Sequence, residues 1–329
     1  MTLRKALSEL AREQWISLGG RGRLHRIEQA TVRAPSGQGR TIRVLTPYTF
    51  AGLGTTGHVI LETVAEQVSA SGFRLEIEHH PGVFEGFQTG KLARLHALPD
   101  TAAWLLFYTT SEMQRWFEER GTPALVVGRT HEGVSLPSVY PDLPAAARHA
   151  AGLFCARGHR DLVYLIASFT SLGDRMASEA FAAEGHRLGA NVRIVEHDPD
   201  VHSVARAVVR TLAERPRPTA YYCACPEHVV TALCRLQSAG IPVPDAVSII
   251  SGWDDHCLDF TYPPVSRYRV SGGRMGRRIA RSILKMIHGE REPSAARAIL
   301  PEFLEGATLG YAPQSLPRRL PVRAANTLD

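Results

Sequence analysis

The 329-residue chain has no apolar run near the roughly 20 residues that a membrane span needs. Its first residues also lack the apolar core and small-residue cleavage site of an export signal, so a cytoplasmic protein is expected. Cysteine is scarce. The five present (Cys155, Cys223, Cys225, Cys234, Cys257) are odd in number and form no C-x-x-C pair, which argues against a disulfide framework and for reduced, mostly buried thiols. Catalytic signatures are missing too. There is no G-x-S-x-G elbow, no phosphate-binding G-x-x-x-x-G-K-[ST] and no H-E-x-x-H, and the glycines at Gly52-x-Gly54 and Gly19-Gly20-Arg21-Gly22 lack the strand, turn and helix context of a dinucleotide site. An enzyme is therefore not expected, and no cofactor is implied.

What is present reads as globular, with 44% hydrophobic and 21% charged residues, enough for one large or two medium domains. The formal charge of +6 is unevenly placed. Residues 1–43 hold nine bases (Arg4, Lys5, Arg12, Arg21, Arg23, Arg26, Arg33, Arg40, Arg43) against Glu9, Glu13 and Glu28, whereas residues 44–329 hold 29 of each sign. The net positive charge sits where a polyanion would be met, although a solvated basic tail has the same composition.

Leu3, Ala6, Leu7 and Leu10 form one helical face. Two short strand-like runs, 15–18 and 24–27, then flank the basic tip Gly19-Gly20-Arg21-Gly22-Arg23, which reads as a hairpin. Residues 28–41 look like a linker. From there short apolar runs alternate with helical stretches. Strands are expected at 42–45, 73–77, 104–108, 124–127, 162–166, 192–195, 220–223 and 247–250. Helices are expected between them, including 144–157, 175–188 and 201–214, and one that Ser111-Glu112-Met113-Gln114 would open as a capping box. Met275, Ile279, Ile283 and Ile287 mark a last amphipathic helix, and the Pro- and Arg-rich residues 311–329 read as a disordered tail. The alternation predicts an α/β protein with two doubly wound parallel-sheet lobes and a ligand cleft between them.

The stretch Ala239-Gly240-Ile241-Pro242-Val243-Pro244-Asp245-Ala246-Val247-Ser248-Ile249-Ile250-Ser251-Gly252-Trp253-Asp254-Asp255 resembles the G-x-x-V-P-x-D-v-S-v-x-G-f-D-D signature of the LacI/GalR regulators. Arg157-Gly158-His159-Arg160, Val139-Tyr140-Pro141-Asp142, Asp174-Arg175, Pro263-Pro264-Val265-Ser266 and Met275-Gly276-Arg277 extend the likeness. For residues 42–310 this implies a periplasmic-binding-protein-like effector domain. Residues 1–27 resemble the end of a GntR-type winged helix without its first two helices, a DNA-binding remnant on which Thr2, Arg4, Lys5, Arg21 and Arg23 would meet DNA.

The resemblance carries Arg175 onto the family's ligand-gripping arginine and Asp254 onto its hydroxyl-accepting carboxylate. A guanidinium donates two parallel hydrogen bonds, a carboxylate accepts from vicinal hydroxyls, and Trp253 could stack on a sugar face or pack in the core. The chain departs from the family in having Cys225-Pro226 for Asn-Asp and Leu143 for Asn, so the pocket is expected to be rebuilt around Phe50, Tyr108, Thr109, Ser111, Glu227 and His228. Cys225, His228, Asp254, His256 and Cys257 follow two strand ends, but their spacing matches no familiar zinc pattern, and no metal is assigned. The expected protein is thus a homodimeric, ligand-responsive transcription repressor that senses a sugar or related polar metabolite and binds operator DNA through its head. A solute-binding receptor for transport is the alternative.

Overall fold

The strands predicted as continuous apolar runs are buried on both faces, which is why they lack the alternation of half-exposed strands. The computed structural model describes residues 16–17, 26–27, 40–168, 170–290 and 297–314. At its start, Ile16–Ser17 (β1) pairs antiparallel with Arg26–Ile27 (β2), with Ile16 opposite Ile27. The expected DNA contacts Thr2, Arg4, Lys5, Arg21 and Arg23 lie outside the described residues.

The first lobe is a six-stranded sheet built from β3 (Thr41–Thr46), β4 (Arg74–His79), β5 (Thr101–Phe107), β6 (Ala124–Val127), β7 (Ser138–Pro141) and β13 (Arg297–Ile299), in the order 13-7-6-5-3-4. The second uses β8 (Asp161–Ala167), β9 (Asn191–His197), β10 (Ala220–Cys223), β11 (Ser248–Ser251), β12 (Ser266–Arg269) and β14 (Glu302–Leu304), in the order 14-12-11-10-8-9. The pairings are parallel throughout, except that β14 runs antiparallel to β12. Parallel neighbours need crossover helices, and these cover both faces of each sheet. In the first lobe, helices Gly54–Ser69 and Gly272–Ile287 bury Ile60, Val64, Val68, Met275, Ile279 and Ile283 against one face. Helix Ser111–Glu119 buries Met113, Trp116 and Phe117 against the other. In the second lobe, helices Leu143–Ala156 and Leu172–Arg187 share one core, while Val201–Ala213 and Pro226–Ser238 share another.

The chain passes between lobes three times: from β7 into helix Leu143–Ala156, from β12 into helix Gly272–Ile287, and from β13 into β14. The two-lobed α/β fold predicted from the sequence is thus found, and the segment 308–312 stays tied to the second lobe. Thr308 donates to the Ile249 carbonyl at 2.7 Å, and the Ala312 N–H donates to the Arg157 carbonyl at 2.8 Å. Residues 315–329, where a tail was expected, lie outside the described residues.

Two boundaries differ from expectation for identifiable reasons. The cap of helix Ser111–Glu119 is Thr110, not Ser111, because the Thr110 hydroxyl accepts the Met113 N–H. Gln114, read as the far half of a capping box, is buried instead. It donates to the Thr109 and Arg129 carbonyls and accepts the His131 N–H. Helix Leu172–Arg187 begins three residues before its expected start, since Ser171 caps it by accepting the Asp174 N–H at 3.2 Å.

Candidate functional site

In an open doubly wound sheet, the strand order reverses where the chain first leaves the sheet in opposite directions, and the carboxyl ends of the two strands there frame a crevice. In the first lobe that point lies between β3 and β5, and in the second between β8 and β10. The described residues that follow these strands are 47–50, 108–111, 168, 170–175 and 224–228. Six of the eight expected ligand residues fall in these segments; the other two, Trp253 and Asp254, follow β11.

The first lobe contributes aromatic rings. Tyr108 leaves β5 with φ of 56°, a left-handed conformation that side chains seldom adopt. Its ring meets Tyr48 edge-on with centroids 4.9 Å apart and remains 46% exposed. Phe50 is 45% exposed and stacks on His58 at 4.3 Å, while His58 Nε2 lies 2.6 Å from the Phe50 carbonyl. Ser111 is half-buried in the first turn of its helix, and Thr109 is buried beside Gln114.

The second lobe contributes a carboxyl. Asp174 accepts hydrogen bonds on Oδ2 from Ser171 (2.6 Å) and Thr170 (3.0 Å). The carboxyl also takes a backbone hydrogen bond from Ser171, the cap of its helix. Burial raises the Asp174 carboxyl above its ordinary value, and the Ser171 and Thr170 hydroxyls only partly oppose that rise. Burial, and after it Asp174, pushes up the Tyr108 hydroxyl; burial, then Cys225, then Asp174, pushes up that of Tyr48. The Cys225 thiol is held well above its usual range by burial, then by Asp174 and Glu227. Such a thiol stays protonated and is not a nucleophile. Tyr48 and Asp174 were not singled out as ligand residues in the sequence. Their position two to seven residues past the switch-point strands is the signal that marks them.

Arg175 is exposed one residue further along, and among the described residues its guanidinium has no hydrogen-bond or ion-pair partner. Glu227 is exposed in the first turn of its helix. His228 does not open to solvent as expected. It is 7% exposed, with its ring edge-on to His197 at 4.3 Å, because the helical position after Glu227 faces the sheet.

Asp254 is arranged differently from a free ligand-accepting carboxylate. Its Oδ1 accepts from Arg267 Nε at 2.5 Å and its Oδ2 from Arg269 Nε at 2.8 Å. Both arginines come from β12, immediately before a crossover. Trp253 packs against the cores of both lobes, which favours the packing role over the stacking one. Asp255 reaches the other lobe, accepting the Thr55 N–H at 2.9 Å on Oδ2 and the Cys257 N–H at 3.1 Å on Oδ1. Burial would raise this carboxyl, but the two backbone donors outweigh it and hold it below its ordinary value.

His256 meets Asp259, and His79 and His80 meet the Pro47 carbonyl and Glu78. Among the described residues, no group of three or more His, Cys, Asp or Glu side chains is disposed to hold a metal ion, and no helix is long and apolar enough to cross a membrane.

Residues 151–309, just under half of the chain, match the Periplasmic binding protein-like domain. The chain is 26% identical over 162 residues to the HTH-type transcriptional repressor PurR of Erwinia tasmaniensis, covering 48% of this chain and 47% of that protein. It is 23% identical over 188 residues to the HTH-type transcriptional regulator AscG of Escherichia coli, covering 56% and 55% respectively. The aligned segment spans about half the length of these relatives. Among solved structures, a LacI family transcriptional regulator from Bifidobacterium animalis superposes with a TM-score of 0.74 at 21% identity, covering 84% of this chain and 99% of that one. The transcriptional regulator CelR in complex with cellobiose superposes at 0.73 and 18% identity, covering 84% and 86%. Residues 151–309 therefore carry a periplasmic-binding-protein-like domain, and the two-lobed fold around it is the one shared with LacI-family regulators.

Proposed function

We propose that this chain is the effector-sensing part of a cytoplasmic, ligand-responsive transcription repressor, in which a sugar or related small polar metabolite binds between the two lobes. The observation that carries this reading is a topological switch point in each of two sheets whose lobes are joined by three crossovers. Arg175 would grip the ligand's hydroxyls, Phe50 and Tyr108 would stack on it, and Ser111 and Glu227 would complete its polar contacts. The cellobiose bound to CelR supports a polyol ligand. The basic first 43 residues support a DNA-binding head of the GntR type, with Thr2, Arg4, Lys5, Arg21 and Arg23 at the DNA and two chains paired as a homodimer.

A ligand switches such a protein only if it binds the open and closed arrangements with different affinity. The test is calorimetry of the full chain with sugars and small metabolites, followed by gel-shift assays on the DNA flanking its gene. Saturable binding that changes DNA retention is the expected result. Ligand binding that survives replacement of Arg175, Phe50 and Tyr108 by alanine would place the site elsewhere.

A further inference from the structure

Two phenols lie beneath the crevice of the second lobe. Tyr164 on β8 and Tyr222 on β10 stand in register on the two strands between which the order of that sheet reverses. Neighbours in register on parallel strands leave the sheet in the same direction, about one strand spacing apart. Their rings stack accordingly, with centroids 4.7 Å apart at 26°. Both residues are 1% exposed and belong to the core that helices Leu143–Ala156 and Leu172–Arg187 share. The Tyr222 hydroxyl reaches past the carboxyl end of its strand. Its oxygen lies 2.7 Å from where a Cβ on Gly252 would stand, and Gly252 follows β11 with its N–H on the Cys223 carbonyl at 2.8 Å.

A buried tyrosine ordinarily finds a partner for its oxygen. Tyr221 and Tyr268 do so, through Thr211 and His149, each at 2.8 Å. Among the described residues, the oxygens of Tyr164 and Tyr222 have no such partner, yet they are not sealed from solvent as the orphaned nitrogens of His197 and His228 are. Burial holds both phenols well above their ordinary value, so each keeps its proton and can donate it. The segments that open the adjoining helices add apolar groups: Leu143 and Cys225 pack on the same core, and Pro226 is buried. Asp254, after β11, has both oxygens occupied by Arg267 and Arg269, so a ligand hydroxyl competes poorly there. Two parallel donors about one strand spacing apart match a single acceptor, because an sp² oxygen with lone pairs about 120° apart can lie about 2.8 Å from both.

We propose that Tyr164 and Tyr222 are specificity-determining residues of the cleft and that the effector presents a carbonyl oxygen to their hydroxyls, as a lactone or an amide does. This rests on the cleft being the effector site, with Arg175 left for the ligand's hydroxyls.

The experiment is calorimetry of the full chain with pairs matched around that oxygen: galactonolactone against galactose, gluconolactone against glucose, N-acetylglucosamine against glucose, and cyclopentanone against cyclopentanol. At least one carbonyl compound should bind about tenfold or more tightly than its hydroxyl partner, because the partner leaves the two donors without an acceptor. Tyr164→Phe and Tyr222→Phe should each cut that margin by about three- to tenfold, while the hydroxyl partner changes by less than about twofold. Since neither oxygen has a partner within the described fold, the urea midpoint of both variants should equal or exceed that of the wild type. A fall in the midpoint would assign the oxygens to the fold and overturn the proposal. Equal affinity within every pair, a margin that survives both variants, or no carbonyl compound bound at all would overturn it as well. Hydroxyl ligands that bind, and are lost in Tyr108→Ala but in neither phenylalanine variant, would overturn it while leaving the cleft as the effector site.

Discussion

At Tyr108 the backbone holds a φ of 56° that costs a bulky residue about 1–3 kcal/mol. The flanking β5 and the buried Thr109 fix the chain on either side, so the strain persists and its product is a phenol ring presented to the opposite lobe. His228 illustrates the reverse arrangement, an ionisable ring placed where charge is refused. Burial, and after it the neighbouring His197, lowers its basicity to about 3. Among the described residues its Nδ1 has no hydrogen-bond partner, and His197 Nε2 beside it has none either. The folded pKa lies below the unfolded value near 6.5, so protonation favours the unfolded chain. This penalty is absent above about pH 6.5 and grows as pH falls toward 3, at up to about 1.4 kcal/mol per pH unit. We expect urea midpoints of the wild type to fall between about pH 6.5 and 4.5, and a His228→Leu variant to lose a clearly smaller amount over the same range. Parallel pH profiles for the two proteins would show that His228 is not the group responsible.

At the scale of elements, helix Gly54–Ser69 begins without a cap of its own, since Leu53 precedes it and offers no side-chain acceptor. Asp255, two hundred residues away and on the other lobe, supplies the acceptor to Thr55. The loop after β11 thus ties the lobes at one edge of the cleft, with Asp254 anchored to β12 and Trp253 between the two cores. Asp255→Ala should cost about 0.5–2 kcal/mol in urea unfolding, the range for a lost helix cap, and should enlarge the radius of gyration of the ligand-free chain in X-ray scattering. An unchanged midpoint and an unchanged scattering curve together would mean that the tie carries no weight. This contact was beyond the reach of the sequence, because Asp255 and Thr55 lie two hundred residues apart and only the fold brings them together. Most of the sheet was legible, because β3, β5, β6, β8, β10 and β11 are buried runs of apolar residues with few alternatives. β12 escaped because Arg267 and Arg269 break its apolar pattern, and their charges find Asp254 and Asp259 only once the chain has folded. β13 and β14 are three residues each, too short to carry a period. Of the site, the aromatic side was readable as residues following strands. The pairing of Asp254 with arginines of its own lobe was not, because it depends on which carboxylate Arg267 and Arg269 of β12 reach in the fold.

For the whole molecule, the net charge is confined to one end of the chain. The first 43 residues carry an excess of six positive charges, and the remaining 286 carry none. In the proposed regulator, the two-lobed part of balanced charge has no reason to attract a polyanion, whereas a basic segment releases the counterions of whatever phosphates it neutralises. The logarithm of DNA affinity should therefore fall steeply with the logarithm of salt concentration, and replacing Arg4, Lys5, Arg21 and Arg23 together by glutamine should reduce that slope by about three to four. Effector affinity in the same variant should stay within about twofold of the wild type, since the cleft residues lie in the balanced part of the chain. Filter binding across a salt series, alongside calorimetry of the effector, measures both quantities in one preparation. A salt slope left intact by the fourfold replacement would move the DNA contacts off these four residues, and a parallel loss of effector affinity would mean that the basic segment and the cleft are not separable parts.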